Sequence, residues 1–125
     1  MTKKKKIADT SDLLSEIIIK GIRDKKGRQI VSLGLKKIEQ AVSDFFIICH
    51  GTSTIQVQAI AESIEDEVRG AIGLKPWHKE GQQNAEWILL DYVDVVVHIF
   101  QEKTREFYQI ERLWADAEVK ELDEE

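Results

Sequence analysis

The sequence predicts a single α/β domain, and three observations predict it. Apolar residues recur at helical spacing in two long stretches, at Leu14, Ile17, Ile18 and Ile22, and again at Val57, Ile60, Ala61, Ile64 and Val68. Between and after them lie short β-branched and aromatic runs, which read as strands. The chain has 125 residues, 42% of them hydrophobic and 33% charged, which suits one globular domain with its own core. Strands alternating with helices then give the α/β class.

The elements follow in order. Residues 1–8 form a basic arm carrying Lys3–Lys6, and Asp9, Thr10, Ser11 and Asp12 can each cap the first helix. That helix ends at Asp24-Lys25-Lys26-Gly27. In residues 30–35, Val31, Leu33 and Leu35 alternate with Ser32 and Gly34, the pattern of a half-buried strand. Residues 45–49 are apolar on both parities and read as a central strand covered on both faces. Ser53 and Gln56 fit a capping box for the second helix, which Gly70 and Gly73 close. Residues 74–78 read as a short strand kept to an edge by Pro76, and residues 80–84 as a polar loop. Residues 87–90 and 95–100 make a hairpin around Asp91-Tyr92-Val93-Asp94. Thr104 caps a last helix with Phe107, Ile110, Leu113 and Trp114 inward, and the acidic tail, 118–125, frays. The folded domain therefore spans residues 9–117.

Composition excludes several functions. There are 23 acids and 18 bases, a net charge of −5. Six acids and one base in residues 116–125 account for the whole surplus, leaving 17 of each sign in residues 1–115. That balance argues against a broad phosphate-coating face and sequence-independent nucleic-acid binding. One cysteine excludes an internal disulfide and a cysteine-rich zinc site. No apolar run approaches a membrane span, and the basic start lacks the apolar stretch of a secretory signal. The expectation is a cytoplasmic protein.

The candidate motifs divide into chemistry and packing. Gly51-Thr52-Ser53 between a strand and a helix could cradle a phosphate, but it has no P-loop lysine and reads as a turn plus an N-cap. Asp44, Asp91 and Asp94 could converge on Mg²⁺, yet they lack the Asp-x-Asp spacing of one strand face and suit turn and strand-end positions. Cys49 and His50 are strand neighbours and point to opposite faces, so they make a poor chelating pair. His78 and His98 complete no ligand set. With Tyr92-Val93 as the turn, Trp87 sits opposite His98, Leu89 opposite Val96 and Asp91 opposite Asp94. The other parity pairs Leu90 with Val95 and Ile88 with Val97, nearly all branched aliphatic, and belongs under helices. The Trp87 face is mixed. It fits a protein-binding surface and a second covered core face equally well.

Residues 43–69 and 85–117 resemble the ribosomal silencing factor family, also called Iojap. The most specific parts are Asp44-Phe45-Phe46, Gly51-Thr52-Ser53, Glu86-Trp87, Leu90-Asp91-Tyr92, Val97-His98, Arg105-Glu106-Phe107-Tyr108 and Leu113-Trp114. The resemblance implies a mixed β-sheet with flanking helices, a nucleotidyltransferase-like fold without the catalytic carboxylates. It implies a binding protein rather than an enzyme, needing no metal or cofactor. Its implied partner is the large ribosomal subunit at ribosomal protein fourteen, where occupancy blocks joining of the small subunit and represses translation under nutrient limitation. A homodimer is implied too. The partner-binding residues are then Trp87, Leu89, Asp91, Tyr92, Asp94, Val96, His98, Arg105 and Tyr108. The competing reading is a phosphate-handling enzyme using Gly51-Thr52-Ser53 and Asp44. The family usually has glycine after the Asp-Tyr pair, whereas this chain has Val93, which disfavours a primed two-residue turn. A one-residue slip there would swap the two hairpin faces.

Overall fold

Phe45–Gly51, the run without alternation, is an interior strand with parallel and antiparallel neighbours in the computed structural model, which describes residues 2–125 and their side chains from Thr10 onward. The elements run α1 (Thr2–Asp24), β1 (Arg28–Gly34), β2 (Phe45–Gly51), α2 (Thr54–Ile72), β3 (His78–Glu80), β4 (Trp87–Asp91), β5 (Val95–Gln101), α3 (Glu102–Tyr108), a 3₁₀ turn (Ile110–Trp114) and β6 (Glu118–Leu122). Among the described residues, six strands form one mixed sheet in the order β3-β4-β5-β2-β1-β6. Only β2 and β5 are parallel; the other neighbours are antiparallel.

One face of the sheet lies under α1 and α2. Leu14, Ile18 and Ile22 from α1 and Val57, Ile60, Ile64 and Val68 from α2 pack on Ile30, Ile47, Cys49, Ile88, Leu90, Val95, Val97 and Ile99, all buried. The two helices cross at Gly21. A Cβ there would stand 2.9 Å from the Ile64 Cα, and the Ser63 hydroxyl donates to the Gly21 carbonyl at 2.8 Å. The other face is closed more thinly, by residues 35–44, α3 and the 3₁₀ turn over Leu33, Leu35, Ile48, Phe100 and Ile110. Cys49 points to the helix side, where burial pushes its thiol up to about 12, and His50 points to the other. This is the opposition their adjacency predicts. The N-cap half of the expected capping box is present, the Ser53 hydroxyl accepting from the Gln56 N–H at 3.1 Å, while the Gln56 Oε1 reaches one residue farther back and accepts from the Thr52 N–H at 2.8 Å.

Five expectations need correction. Residues 9–12 lie within α1 instead of capping it, while the side chains of the basic arm lie outside the described residues. The short strand falls at His78–Glu80, past Pro76, where its N–H groups are free to reach β4. The last helix starts at Glu102, with Thr104 inside it instead of capping it, stops at Gln109, which takes φ +44, and resumes as a 3₁₀ turn. Only Ile110 of its four inward candidates is buried, and Phe107 and Leu113 stay 79% and 76% exposed. The acidic tail does not fray: Glu118–Leu122 pairs antiparallel with β1 from Gly34↔Glu118 to Ile30↔Leu122. Long-range pairing supplies the order that its local composition denies.

The fifth correction is the hairpin register. Trp87 faces Phe100, Leu89 faces His98 and Asp91 faces Val96, two residues from the expected pairing. The Tyr92 N–H donates to the Val95 carbonyl at 2.9 Å, so the turn residues are Val93 and Asp94. The cause is Tyr92, which joins the helix-side core instead of the exposed tip. Because the slip is even, every side chain keeps its face.

Candidate functional site

The thinly closed face is a lattice of three cross-strand rows. One row runs Asp91, Val96, Phe46 and Leu33 from β4 to β1; the next runs Leu89, His98, Ile48 and Val31; the third runs Trp87, Phe100 and His50. The β5 column is buried, with Val96, His98 and Phe100 all under 9% exposed, and the β2 and β1 columns mix buried Ile48, His50 and Leu33 with partly exposed Phe46 and Val31. The β4 column does not close: Trp87, Leu89 and Asp91 are each partly exposed. Alternation put these three on one side, and the cover stops short of them.

Aromatic rings border this margin. Trp87 packs against Phe100 at 4.8 Å between centroids and against Tyr108 of α3 at 5.1 Å. Tyr108 meets the exposed Phe107 edge-on at 4.9 Å, and Trp114 meets Phe46 edge-on at 5.6 Å. Offset and edge contacts of this kind favour ring orientation beyond simple area burial. The Trp87 indole Nε1–H donates to His98 Nδ1 at 3.1 Å. An indole nitrogen only donates, so His98 Nδ1 is the acceptor and its proton sits on Nε2. That Nε2 is buried without a partner, and burial lowers the His98 pKa to about 4.

The remaining nominated residues serve the margin from different places. Tyr92 is buried under the helices, where desolvation raises its pKa. Asp94 is exposed at the turn and Tyr108 is half-exposed. Arg105 is turned inward, with its side chain 8% exposed. Its Nε and Nη2 donate to Glu111 Oε2 at 3.2 and 3.0 Å, and its Nη1 donates to the Gln29 carbonyl at 2.8 Å and reaches His50 Nδ1 at 3.0 Å. Gln29 sits at φ +45 where the β1–β2 register breaks. Burial, then the Arg105 charge, lowers the His50 pKa. Arg105 thus ties α3 and the 3₁₀ turn to a bulge in β1. It borders a cavity of about 290 Å³ with Glu102, Glu106 and Gln109. Its ion-pair partner is Glu111, six residues on, which the 3₁₀ turn brings close. Phe107 was also missed as a surface residue; the break at Gln109, which carries no glycine signal, turns it outward.

The hairpin turn is strained and anchored. Val93 takes φ +75, and the Asp94 N–H donates to the Tyr92 carbonyl at 2.9 Å, the tight three-residue turn with its centre at positive φ. Asp91 Oδ1 accepts from the Val93 N–H at 2.8 Å. The Ser43 hydroxyl donates to the Val93 carbonyl at 2.7 Å, and the Asp44 N–H donates to the Asp94 carbonyl at 2.7 Å. Asp91 thus serves the turn through its carboxylate, and Asp44 ties the turn to β2 through its main-chain N–H. Among the described residues, no three His, Cys, Asp or Glu side chains group as a metal site. A β-branched residue at positive φ is costly, while glycine adopts it freely. Val93→Gly should therefore stabilise the fold by about 1 kcal/mol, the relieved strain exceeding the added unfolded-state entropy. A higher urea midpoint at unchanged m-value checks this; a lower midpoint refutes the strain.

A family model described as "Ribosomal silencing factor during starvation" matches residues 8–125. The chain is 42% identical over 110 residues to "Ribosomal silencing factor RsfS" of Halalkalibacterium halodurans, covering 88% of this chain and 92% of that protein. A mouse protein named "Mitochondrial assembly of ribosomal large subunit protein 1" is 29% identical over 104 residues, covering 79% of this chain and 44% of its own length. A crystal structure of a Chromobacterium violaceum protein superimposes with a TM-score of 0.79 at 34% identity, covering 83% of this chain and 85% of that one.

Proposed function

Because the chain belongs to the ribosomal silencing factor family, we propose that it represses translation by occupying the large ribosomal subunit at ribosomal protein fourteen. Bound there, it blocks the face that meets the small subunit and so lowers subunit joining when nutrients are scarce. It acts in the cytoplasm as a homodimer and as an occupant, not an enzyme. Mass action does the work: a bound subunit leaves the joining equilibrium, and no cofactor or metal is required.

The observation that carries this reading is the open β4 column. Trp87, Leu89 and Asp91 are all partly exposed, whereas Val96, His98 and Phe100 on the neighbouring β5 are buried. Trp87, Leu89 and Tyr108 supply the apolar contact, and Asp91 and Asp94 supply charge toward a basic partner, aiding encounter and register. Val96 and His98 form the floor of this surface, Tyr92 anchors its turn, and Arg105 holds the α3 wall. The name of the mouse relative supports the choice of the large subunit.

Two measurements test the proposal. The protein should co-sediment with purified large subunits, not with small ones, and should reduce formation of the joined ribosome as its concentration rises. Light scattering on the free protein should give about twice its 14.4 kDa chain mass. No co-sedimentation at tens of micromolar sinks the docking reading, and a single-chain mass at that concentration sinks the dimer.

A further inference from the structure

We propose that His98 is a positioning residue for the docking surface: its Nδ1 fixes the orientation of the Trp87 indole through the Nε1–H hydrogen bond. The inference rests on the docking reading above. It goes beyond that reading by giving His98 a role that needs no contact with the partner.

The first observation is that His98 is an expensive residue where it stands. It lies at the middle of β5 with 5% of its surface exposed, its ring 4.8 Å from that of Phe46 and stacked at 14° to that of Phe100. Its Nε2–H has no partner. An aliphatic side chain of similar size would avoid that unpaired donor, because a buried polar group without a partner forfeits its hydration. The position carries the burden and yields one hydrogen bond, to Trp87.

The second observation is what that bond selects. The Trp87 ring leans on Phe100 and Tyr108, and those contacts set its tilt, while the hydrogen bond of its N–H to His98 sets which edge of the indole faces β5. A half-turn about the Cβ–Cγ bond exchanges the N–H edge for the benzo edge. In one orientation the N–H meets His98 at 3.1 Å. In the other it leaves His98 Nδ1 as a second unpaired buried atom. The histidine thereby picks one of two ring faces for presentation, which removes a conformational cost from binding. Asp91 of β4 and Glu111 of the 3₁₀ turn are the charged groups that act on His98, and neither takes this hydrogen bond.

Three substitutions separate positioning from packing. Asn carries its carbonyl oxygen on Cγ, where histidine carries Nδ1, so His98→Asn keeps the acceptor for Trp87. Gln carries its amide one bond farther out, and Leu has no acceptor. The readouts are co-sedimentation with large subunits and the ¹H–¹⁵N signal of the Trp87 indole in the free protein. That signal is identified by its loss in Trp87→Phe and distinguished from those of Trp77 and Trp114. His98→Leu and His98→Gln should move the indole signal toward that of an unbonded N–H and weaken subunit binding about fivefold, the worth of one ordinary hydrogen bond. His98→Asn should retain the bonded signal and most of the affinity, whatever its melting temperature. The inference is overturned if the indole signal of His98→Leu matches wild type, or if the three variants bind alike. The indole measurement needs no ribosome. A wild-type protein that fails to bind subunits therefore defeats the docking reading, while the indole series still decides whether His98 orients Trp87.

Discussion

Trp87→Ala is expected to weaken binding to large ribosomal subunits by about thirtyfold and to relieve the block on subunit joining. Truncating an aromatic anchor at an interface centre typically costs about 2 kcal/mol or more, and 2 kcal/mol is about thirtyfold in affinity. Trp87 meets the conditions for such an anchor. It is partly exposed, it is braced by Phe100, Tyr108 and His98, and it stands beside Leu89 on the open column. The fold should survive, because the larger core lies on the other side of the sheet and does not include Trp87. The control is its neighbour. Ile88 is 1% exposed and faces α1 and α2, so Ile88→Ala should cost about 2–5 kcal/mol of stability as a cavity and leave the docking face in place. Circular dichroism melts and subunit co-sedimentation, run on both variants, check the pair. Unchanged binding by folded Trp87→Ala removes this residue from the interface.

Arg105→Ala should destabilise the protein by about 3 kcal/mol. The guanidinium is almost wholly enclosed and serves Glu111, the Gln29 carbonyl and His50 at once. Removing one partner of a buried pair costs about 3–5 kcal/mol, and the lower end applies because Glu111 keeps 30% of its side chain in water. Lysine should not rescue, since a point charge cannot reproduce the planar fork that meets partners on three elements. Urea unfolding of Arg105→Ala and Arg105→Lys measures both effects. A loss below about 0.5 kcal/mol, the size of an ordinary surface substitution, would mean that the α3 lobe stands without this tie.

The sequence carried the faces of the hairpin better than its register. Alternation has period two, so Trp87 and Leu89 stay together under any even slip, and Ile88 and Leu90 likewise. The register was set by Tyr92, whose burial depends on α2 being overhead, and by Val93 at φ +75, which no propensity favours. The same division explains the rest. The α2 cap and apolar stripe were readable because both are local. β6 was not: Glu118, Lys120 and Glu121 describe a solvated segment, and only the partner strand makes it a strand. The Arg105 cluster joins residues 29, 50, 105 and 111, which no spacing rule connects. The break at Gln109 uses a positive φ without glycine, and with it went the expectation that Phe107 and Leu113 point inward.

The pairing of β1 with β6 also governs when the protein can exist at all. Ile30 is bonded across to Leu122, and the central parallel pair joins Phe45 to Val95, fifty residues on. Neither contact can form while the intervening chain is unmade, and at roughly 5–20 residues per second translation takes about 3–10 s for the shorter stretch and about 5–18 s for the longer. During that interval the apolar stripes of α1 and α2 have no completed sheet to cover. Topologies dominated by distant pairings pay the closure of long loops before they gain from contact, and fold more slowly than local ones. The order of the strands therefore makes folding a late event, which the last-made segment, β6, completes.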